Sequence, residues 1–518
     1  MNASASRDTD VLIVGAGPTG LVLAVWLTRV GVRVRIVDKT AEPGTTSRAL
    51  AVQARTLELY NQVGLANTVI ARGRKMIAVN LWVTGKKAAR AIFGDMGAGL
   101  SPFPYALIFP QDEHERMLID RLDEVGVQVE RQTELLSFED AADRVHVRLR
   151  LREGAVETCD AAYIAGCDGA HSTVREALEI GFPGGVYNHL FYVADVEAGG
   201  ATMNGELHVA LDRTDFLAVF PLKGEGRARL IGTLREEAAQ QPENLSWNDV
   251  SKRVIEWIRI DVKRVNWFST YRVHHRVAAH FRKGRAFLVG DAAHIHSPVG
   301  GQGMNTGIGD AVNLGWKLAA VVHGRADASL LESYEPERIA FARRLVATTD
   351  QAFTGVTSSG AIARLIRLHT VPLLVRPLFA IPMMRRYMFR TVSQTAVNYR
   401  GSSLSAGRAG MVHGGDRLPW VRAKMNGVHR DNFAALTSLD WQVHVYGDVS
   451  PDIHGLCDQR KLALRVFPWR SEMRRAGLRR NAVYLVRPDG YVALADPERS
   501  ATAVASYLDA RKIIATVS

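Results

Sequence analysis

Apolar positions along this chain fall into short unbroken runs, strict alternations and helical stripes, and their order predicts an α/β protein. Val11 to Val14 is a short run of the kind buried on both faces of a parallel sheet. An apolar stretch from about Pro18 to Val30 predicts a helix, and Val34 to Val37 a second buried strand. Ala49 to Val63 has helical spacing, with Leu50, Leu57, Leu59 and Val63 as its apolar positions and Gly64 as its stop. Asp112 is placed to cap a helix over Glu113 to Glu124. Val145 to Leu151 alternates with the period of a half-exposed strand, and Ala162 to Gly166 and Ala286 to Val289 are further short buried strands.

Between Tyr187 and Arg235 the pattern changes to strand-like runs, Leu207 to Leu211, Phe216 to Leu222 and Ala228 to Leu234, punctuated by glycine and charge. These predict an antiparallel sheet inserted into a nucleotide-binding domain. Asn248 to Ile260 reads as a helix, as does Gly309 to Val322. Ala340 to Arg400 is apolar and helical but studded with arginines and broken by Pro372, Pro377 and Pro382. It is expected to pack on the body of the protein or on a second subunit, so a homodimer stays open. Gly401 to Gly415 reads as a linker. Beyond it, Trp441 to Tyr446 and the hairpin around Pro488-Asp489-Gly490 predict a small α/β domain that ends in a helix over Ala501 to Ile514. The expected division is a discontinuous domain over 1–186 and 275–345, a sheet domain over 187–274, a helical segment over 346–400 and a C-terminal domain over 401–518.

Candidate chemistry clusters where strands end in glycine. Gly15, Gly17 and Gly20 follow the first strand at the spacing of the dinucleotide fingerprint: a tight turn, close approach of backbone to a pyrophosphate, and close helix packing. The helix beginning at Pro18 and Thr19 aims its dipole at the phosphates, and Asp38 ends the second strand where it can accept from a ribose hydroxyl. Cys167-Asp168-Gly169 through Arg175 repeats the theme of an acid and a glycine at a strand end. Gly290-Asp291 through Asn305 does so again, with a glycine-rich approach to a long helix.

Composition narrows the reading without changing it. The 518 residues carry a net charge of +12, but Lys and Arg are spread without a basic block, so nucleic acid is not the expected partner. The positive balance suits an anionic cofactor. The three cysteines, Cys159, Cys167 and Cys457, form no CxxC or metal-ligand pair, which predicts reduced thiols, a cytoplasmic protein and no metal. No signal-peptide pattern and no apolar run of membrane-spanning length is found.

The three motifs together resemble the single-component FAD-dependent aromatic hydroxylases, the phenol-hydroxylase-like flavoprotein monooxygenases. The resemblance covers about residues 8 to 345 and extends more weakly to the end, where Gly415-Asp416-Arg417-Leu418-Pro419 and Arg487-Pro488-Asp489-Gly490 look like that family's thioredoxin-like domain. It implies a Rossmann-like FAD-binding domain, an inserted antiparallel substrate sheet, a helical connection and a thioredoxin-like C-terminal domain. By the same resemblance Asp38 binds the adenosine ribose, Lys39 and Arg48 lie near the diphosphate, Gln111 contacts FAD, and a backbone group at Leu135 meets the adenine end. Asp168 lies in a motif serving FAD and the nicotinamide nucleotide, and Asp291 holds the ribityl chain. Pro298 lies against the flavin, and amides over Gly301, Gly303, Met304 and Asn305 face its pyrimidine edge. The family's phenol-activating aspartate is absent: Leu50 stands there, in Ala49-Leu50-Ala51-Val52-Gln53-Ala54-Arg55-Thr56-Leu57-Glu58. Glu179 stands where glycine is more typical, and a local loop change is expected. The C-terminal domain has no CxxC, which points to a structural or oligomerising role.

The implied reaction takes hydride from NADPH or NADH, then oxygen from O2 through a flavin C4a-hydroperoxide, and hydroxylates an electron-rich aromatic substrate with a mobile flavin. Only one GxGxxG is embedded behind a strand, so the nicotinamide nucleotide is expected as a transient co-substrate. Such a reaction needs a dry pocket, for which Leu50, Tyr105, Phe109, Phe216, Phe220 and Pro221 are candidates, each with a plain-core alternative; no residue is assigned as base. His294 and His296 read as structural. No Trp-x-Trp-x-Ile-Pro halogenase motif occurs. The alternative is a flavin-binding accessory protein or non-hydroxylating FAD oxidoreductase that stabilises an aromatic intermediate.

Overall fold

A computed structural model describes residues 9–44, 49–212, 216–234, 245–297, 300–357, 377, 380–425 and 428–514. The strand Thr9–Val14 lies at the middle of the first sheet, parallel to Val34–Asp38 on one side and to Val156–Gly166 on the other. Ala286–Leu288 extends the parallel set beyond Val156–Gly166, and Val129–Arg131 extends it beyond Val34–Asp38. Leu12, Ile13, Ile36 and Ile164 are fully buried, as the unbroken apolar runs require of strands covered on both faces. Helices Pro18–Arg29 and Gly303–Val322 pack on this sheet with Leu21, Leu23, Leu314 and Leu318 fully buried. The three strand ends that carry Gly15, Asp168 and Gly290 therefore open at one edge.

The second sheet has eight strands and is mostly antiparallel, built on the long strands Gly184–Gly199 and Asp261–Val277. It is wider than the stretch 187–274, because Ala78–Val83 and Lys86–Ile92 add two strands at one side and His294–Ile295 adds one at the other. The strand following the glycine turn at 290 is thereby hydrogen-bonded to the inserted sheet, which locks the two units together. The third sheet, with helices Pro451–Arg460 and Ala501–Ala510, forms the thioredoxin-like C-terminal domain. Among the described residues no helix is long and apolar enough to cross a membrane.

Several local expectations differ from the structure for identifiable reasons. Ala49–Val63 is not one helix: Ala51–Val52 pairs as a strand with Ala106–Ile108, and the helix runs Ala54–Gln62. The side chain of Asn305 donates to the Ala51 carbonyl and holds that backbone extended. Asp112 lies inside its helix, Gln111–Asp123, and Pro110 occupies the cap. The long helix starts at Gly303 rather than Gly309. Asn248–Ile260 holds only a 3₁₀ turn, Trp247–Asp249, and the short helix Lys252–Trp257. Gly401–Gly415 is not a linker: Ala406–Ala409 pairs with Val492–Asp496, and Gly407, Gly410 and Gly415 take positive φ in the tight returns. Of the helical stretch, Tyr334–Thr357 and Pro382–Val392 are described; Arg364, Arg367, Pro372 and Arg376 lie outside the described residues.

Candidate active site

The crevice at the strand ends is shaped by what its glycines exclude and what one of them leaves open. A Cβ on Gly15, at φ +102°, would stand 2.4 Å from the Cys167 carbonyl oxygen, and a Cβ on Gly20 would stand 2.0 Å from that of Gly15. These two glycines serve packing between the first helix and two strand ends. A Cβ on Gly17 would meet nothing within 4 Å, so the turn leaves space beside the helix start. That helix has no side-chain cap and no acidic residue in its first turn. Helix Gly303–Val322 shares both properties. Uncapped amides and the dipole make each start a place for negative or electron-rich groups. By contrast, helix Gln111–Asp123 begins with Asp112 and Glu113.

Asp38 is tied to the glycine turn. Its Oδ2 accepts from the Ala16 amide at 2.7 Å and its Oδ1 from the Thr40 amide and hydroxyl at 2.8 and 2.6 Å, with Arg131 3.6 Å away. The carboxylate is thus held at the end of its strand beside the open turn. Lys39 is exposed just beyond it, and Arg48 lies outside the described residues. Gln111 donates its side-chain amide to Glu115, which also accepts from the Gly44 amide. Burial pushes the Glu115 carboxyl above its usual range, Gln111 and Gly44 opposing. The Leu135 side chain is core, so any contact with a ligand there would be through its backbone.

Asp168 spends both oxygens locally, accepting from the Ser172 hydroxyl at 2.6 Å and the Val174 amide at 3.1 Å. It thereby shapes the turn at its strand end. Arg175, to which the sequence reading gave no role, bridges two strand ends by donating to the Ala292 and Ala170 carbonyls. Glu179 has φ +57° just past the short helix Thr173–Ala177, the left-handed position that glycine usually fills. Asp291 is exposed on the turn Gly290–Ala292, whereas Pro298 lies outside the described residues.

Behind the third turn lies a buried network that the motifs did not announce. Asp310 accepts from the Gly290 amide at 3.1 Å and from His294 Nε2 at 2.6 Å on one oxygen, and from Arg338 Nε at 2.5 Å on the other. Burial would raise its pKa, but Arg338 and His294 hold the carboxyl below its usual range. The available signal was a polar stripe, Asp310, Asn313 and Lys317, on one face of an apolar helix. Asn305 staples the helix start: its amide donates to Ala51 and Gly301 carbonyls at 2.8 Å, and its oxygen accepts from the Gln53 amide and the Thr56 hydroxyl. Its side chain is spent on the protein, which leaves the backbone amides of this turn for a ligand. Thr19 is packed between Gly290 and Gly307, and Met304 packs against the main core.

The apolar candidates separate into two groups. Leu50, Phe216 and Phe220 join one cluster with Phe191 and Phe389 between the inserted sheet and the crevice. It reaches the helix start through Ala51, which a Cβ on Gly301 would approach to 2.8 Å. Phe109 is instead fully buried in the core of the first sheet, its ring 5.3 Å from His114, and Tyr105 packs at the edge of that core under Lys75. Pro221 follows the period of two to the other face of its strand, the face on which Leu217 and Val219 pack against the helix Lys252–Trp257.

A parallel sheet with this fingerprint, a second acid-free helix start and a neighbouring apolar wall define an FAD-binding oxidoreductase. A family model described as "FAD binding domain" matches residues 8–349. The 6-methylpretetramide 4-monooxygenase of Streptomyces rimosus is 34% identical over 98% of this chain and 94% of its own length. Pentachlorophenol 4-monooxygenase of Sphingobium chlorophenolicum is 33% identical over 66% of this chain and 64% of its own. The solved structure of an anhydrotetracycline hydroxylase from Streptomyces rimosus superposes with a TM-score of 0.77 at 29% identity, covering 98% of this chain and 99% of that one. The chain belongs to the FAD-dependent aromatic monooxygenases.

The described residues fit such a cofactor: Gly17 leaves open space where a pyrophosphate would lie, Asp38 stands at the neighbouring strand end where a ribose would reach it, and the helix start after Gly301 has no side-chain cap.

Proposed function

We propose that the protein hydroxylates an electron-rich aromatic substrate, phenolic or polyketide-like, with NADH or NADPH and O2, in the cytoplasm. The observation that carries this reading is the meeting of two uncapped, acid-free helix starts beside an apolar, aromatic-rich wall. FAD, when bound, supplies acceptance of hydride from the nicotinamide and activation of dioxygen, and a mobile ring would let it do both. Gly15, Gly17, Pro18, Thr19 and Gly20 would hold the pyrophosphate and Asp38 the ribose. Asp291 would steady the ribityl chain, and amides from Gly301 to Asn305 would stabilise negative charge on the pyrimidine edge. Leu50, Phe216 and Phe220 would keep water from the reacting oxygen.

With Leu50 where the family carries a carboxylate, and with that leucine only 4% exposed, no acid at this position draws a proton from the substrate. The test is turnover under ¹⁸O2 with NADPH and a panel of tetracyclic and simple phenols. One ¹⁸O per product, with one NADPH consumed, is expected.

The same leucine favours the second reading, an accessory or non-hydroxylating flavoprotein. Flavin binding with no ligand-stimulated NAD(P)H oxidation would establish that reading instead.

A further inference from the structure

The sequence Arg487-Pro488-Asp489-Gly490 ends far from the crevice in the chain, yet its side chains are among the most deeply buried in the molecule. Arg487 is 1% exposed and Asp489 1% exposed. Arg487 donates to both oxygens of Glu337 at 2.7 and 3.1 Å and to both oxygens of Asp489 at 2.5 and 3.0 Å. Glu337 also accepts from Lys317 and Asn313, both on helix Gly303–Val322, and Asp489 from the Trp316 indole on the same helix. The hairpin of the C-terminal domain is therefore fastened to the helix whose first turn faces the crevice.

Two routes run on from this fastening to the crevice itself. Arg55 donates to the Asp489 carbonyl at 2.7 Å, and its neighbours Gln53 and Thr56 donate to Asn305, which fixes Ala51 and Gly301. Next to Glu337, Arg338 donates to the Tyr399 hydroxyl at 2.8 Å and to Asp310, and Asp310 holds the Gly290 amide. Tyr399 lies under Arg487 and against Tyr491, their ring centroids 4.4 Å apart. The hydrogen bonds in both routes join buried groups, where one conformation is strongly specified, and chain adjacency and the ring contacts of Tyr399 complete them.

We propose that the Arg487–Gly490 hairpin is a positioning element of the flavin site, with Arg487 and Tyr399 as its positioning residues. The C-terminal domain, whose single cysteine is Cys457, sets the glycine turn at 290 and the helix start at 303 in the geometry that receives the isoalloxazine. This inference rests on the FAD reading above. It predicts that loosening the hairpin weakens flavin binding even in protein that stays folded.

The test measures FAD dissociation constants and visible circular dichroism of the bound flavin, well below the unfolding midpoint, for wild type, Arg487→Lys, Arg487→Met and Tyr399→Phe. Tyr446→Phe is the control: its hydroxyl accepts from Asn432 at 2.8 Å inside the C-terminal domain, away from the hairpin. The expected result is a roughly tenfold weaker FAD affinity for Tyr399→Phe, in the range of one lost charge-assisted hydrogen bond. Arg487→Met is expected to be weaker still and Arg487→Lys intermediate, with altered flavin dichroism in each and no change for Tyr446→Phe. Should the Arg487 variants not fold, Tyr399→Phe against Tyr446→Phe decides. Equal affinities and dichroism for those two would overturn the inference, even if both lowered stability. A wild type that binds no FAD would instead sink the flavin reading on which it stands.

Discussion

Helix Gly303–Val322 serves two regions. Its first turn faces the nucleotide crevice with no side-chain cap and no carboxylate, and its second half carries Trp316 and Lys317 into the seam under the C-terminal domain. In the crevice, each polar side chain fixes a backbone group, Asp38 the Ala16 amide, Asn305 the Ala51 carbonyl and Asp310 the Gly290 amide, even where, as with Arg338 on Asp310, a charged partner lies behind it. Amides at the helix starts remain for a removable ligand. In the seam, charged side chains chiefly bind one another. Glu337 meets Arg487 and Lys317, and Glu58 meets Arg55 and Arg417. Burial alone would raise the Glu337 and Glu58 carboxyls, yet Arg487 and Arg417 hold both below their usual range. Lys317 falls to about 8, burial outweighing the pull of Glu337. A site that exchanges its occupant keeps its polar groups in the backbone; a permanent junction spends side chains on one another.

The most severe way to break the contrast is to unbalance the seam. Glu337→Ala would leave Arg487 and Lys317 buried without their common partner. Removing one member of a buried pair costs about 3–5 kcal/mol, so a large fall in the urea midpoint is expected, with exposure of the tryptophans at the junction as a fluorescence change. A loss no greater than that of a surface substitution would mean that the seam is solvated in solution.

Glycine substitutions sharpen the difference from the other side. Gly20→Ala puts a methyl 2.0 Å from the Gly15 carbonyl, backbone against backbone, and overpacking of this kind costs about 1–3 kcal/mol or more. Gly17→Ala meets nothing, so its unfolding midpoint in the absence of FAD should match wild type. Its FAD affinity should drop by at least tenfold, because the methyl occupies space assigned to the pyrophosphate. Calorimetry with and without FAD separates the two. If Gly17→Ala bound FAD as wild type does, the phosphates would lie elsewhere.

Most of the crevice was legible because its logic is local. Strand, glycines, helix, strand and acid follow one another within Val11 to Asp38, and each reports its own conformation. The strand-like runs of the inserted sheet, punctuated by glycine and charge, were legible for the same reason. The seam was not. Arg487 lies 150 residues from Glu337, and Arg417 lies 359 from Glu58; no periodicity ties either pair together. Phe109 and Pro221 show the matching limit for apolar residues. Their types suit a pocket, but Phe109 lands in the core of the first sheet, and Pro221 lies on the face of its strand opposite Phe216 and Phe220.

Acid should erode both regions with a smaller and calculable slope. His114, beside Tyr60 in the first domain, and His444, in the third sheet, are both depressed by burial from 6.5 to about 3. The unfolded chain therefore binds more protons than the native one between pH 6.5 and 3. Stability is complete above that window and falls as pH drops through it, by up to about 1.4 kcal/mol per pH unit for each histidine. His444→Phe should flatten the acid limb of a stability–pH curve by about one proton. The seam carboxylates, depressed in the native state from an ordinary value of 4.5, begin to add their own loss below about that pH, inside the lower half of the same window. An unchanged slope in His444→Phe would place a charged imidazole in the native domain.

The smallest effect is the one that tests whether charge or burial makes the seam strong. Arg460 and Asp509 join two helices of the C-terminal domain through two hydrogen bonds at 2.7 and 2.8 Å, a geometry as good as that of Arg487 on Glu337. Yet their side chains are 36% and 56% exposed, while those of Arg487 and Glu337 are 0%. Water and salt screen the exposed pair in both folded and unfolded states, and ordering two long side chains opposes the gain. Asp509→Asn should therefore leave the urea midpoint where it is at physiological salt, and FAD affinity with it. A measurable loss would show that geometry carries the ion pairs of this domain. The Glu337 result would then be read as a matter of good hydrogen bonds rather than of charges shut away from water.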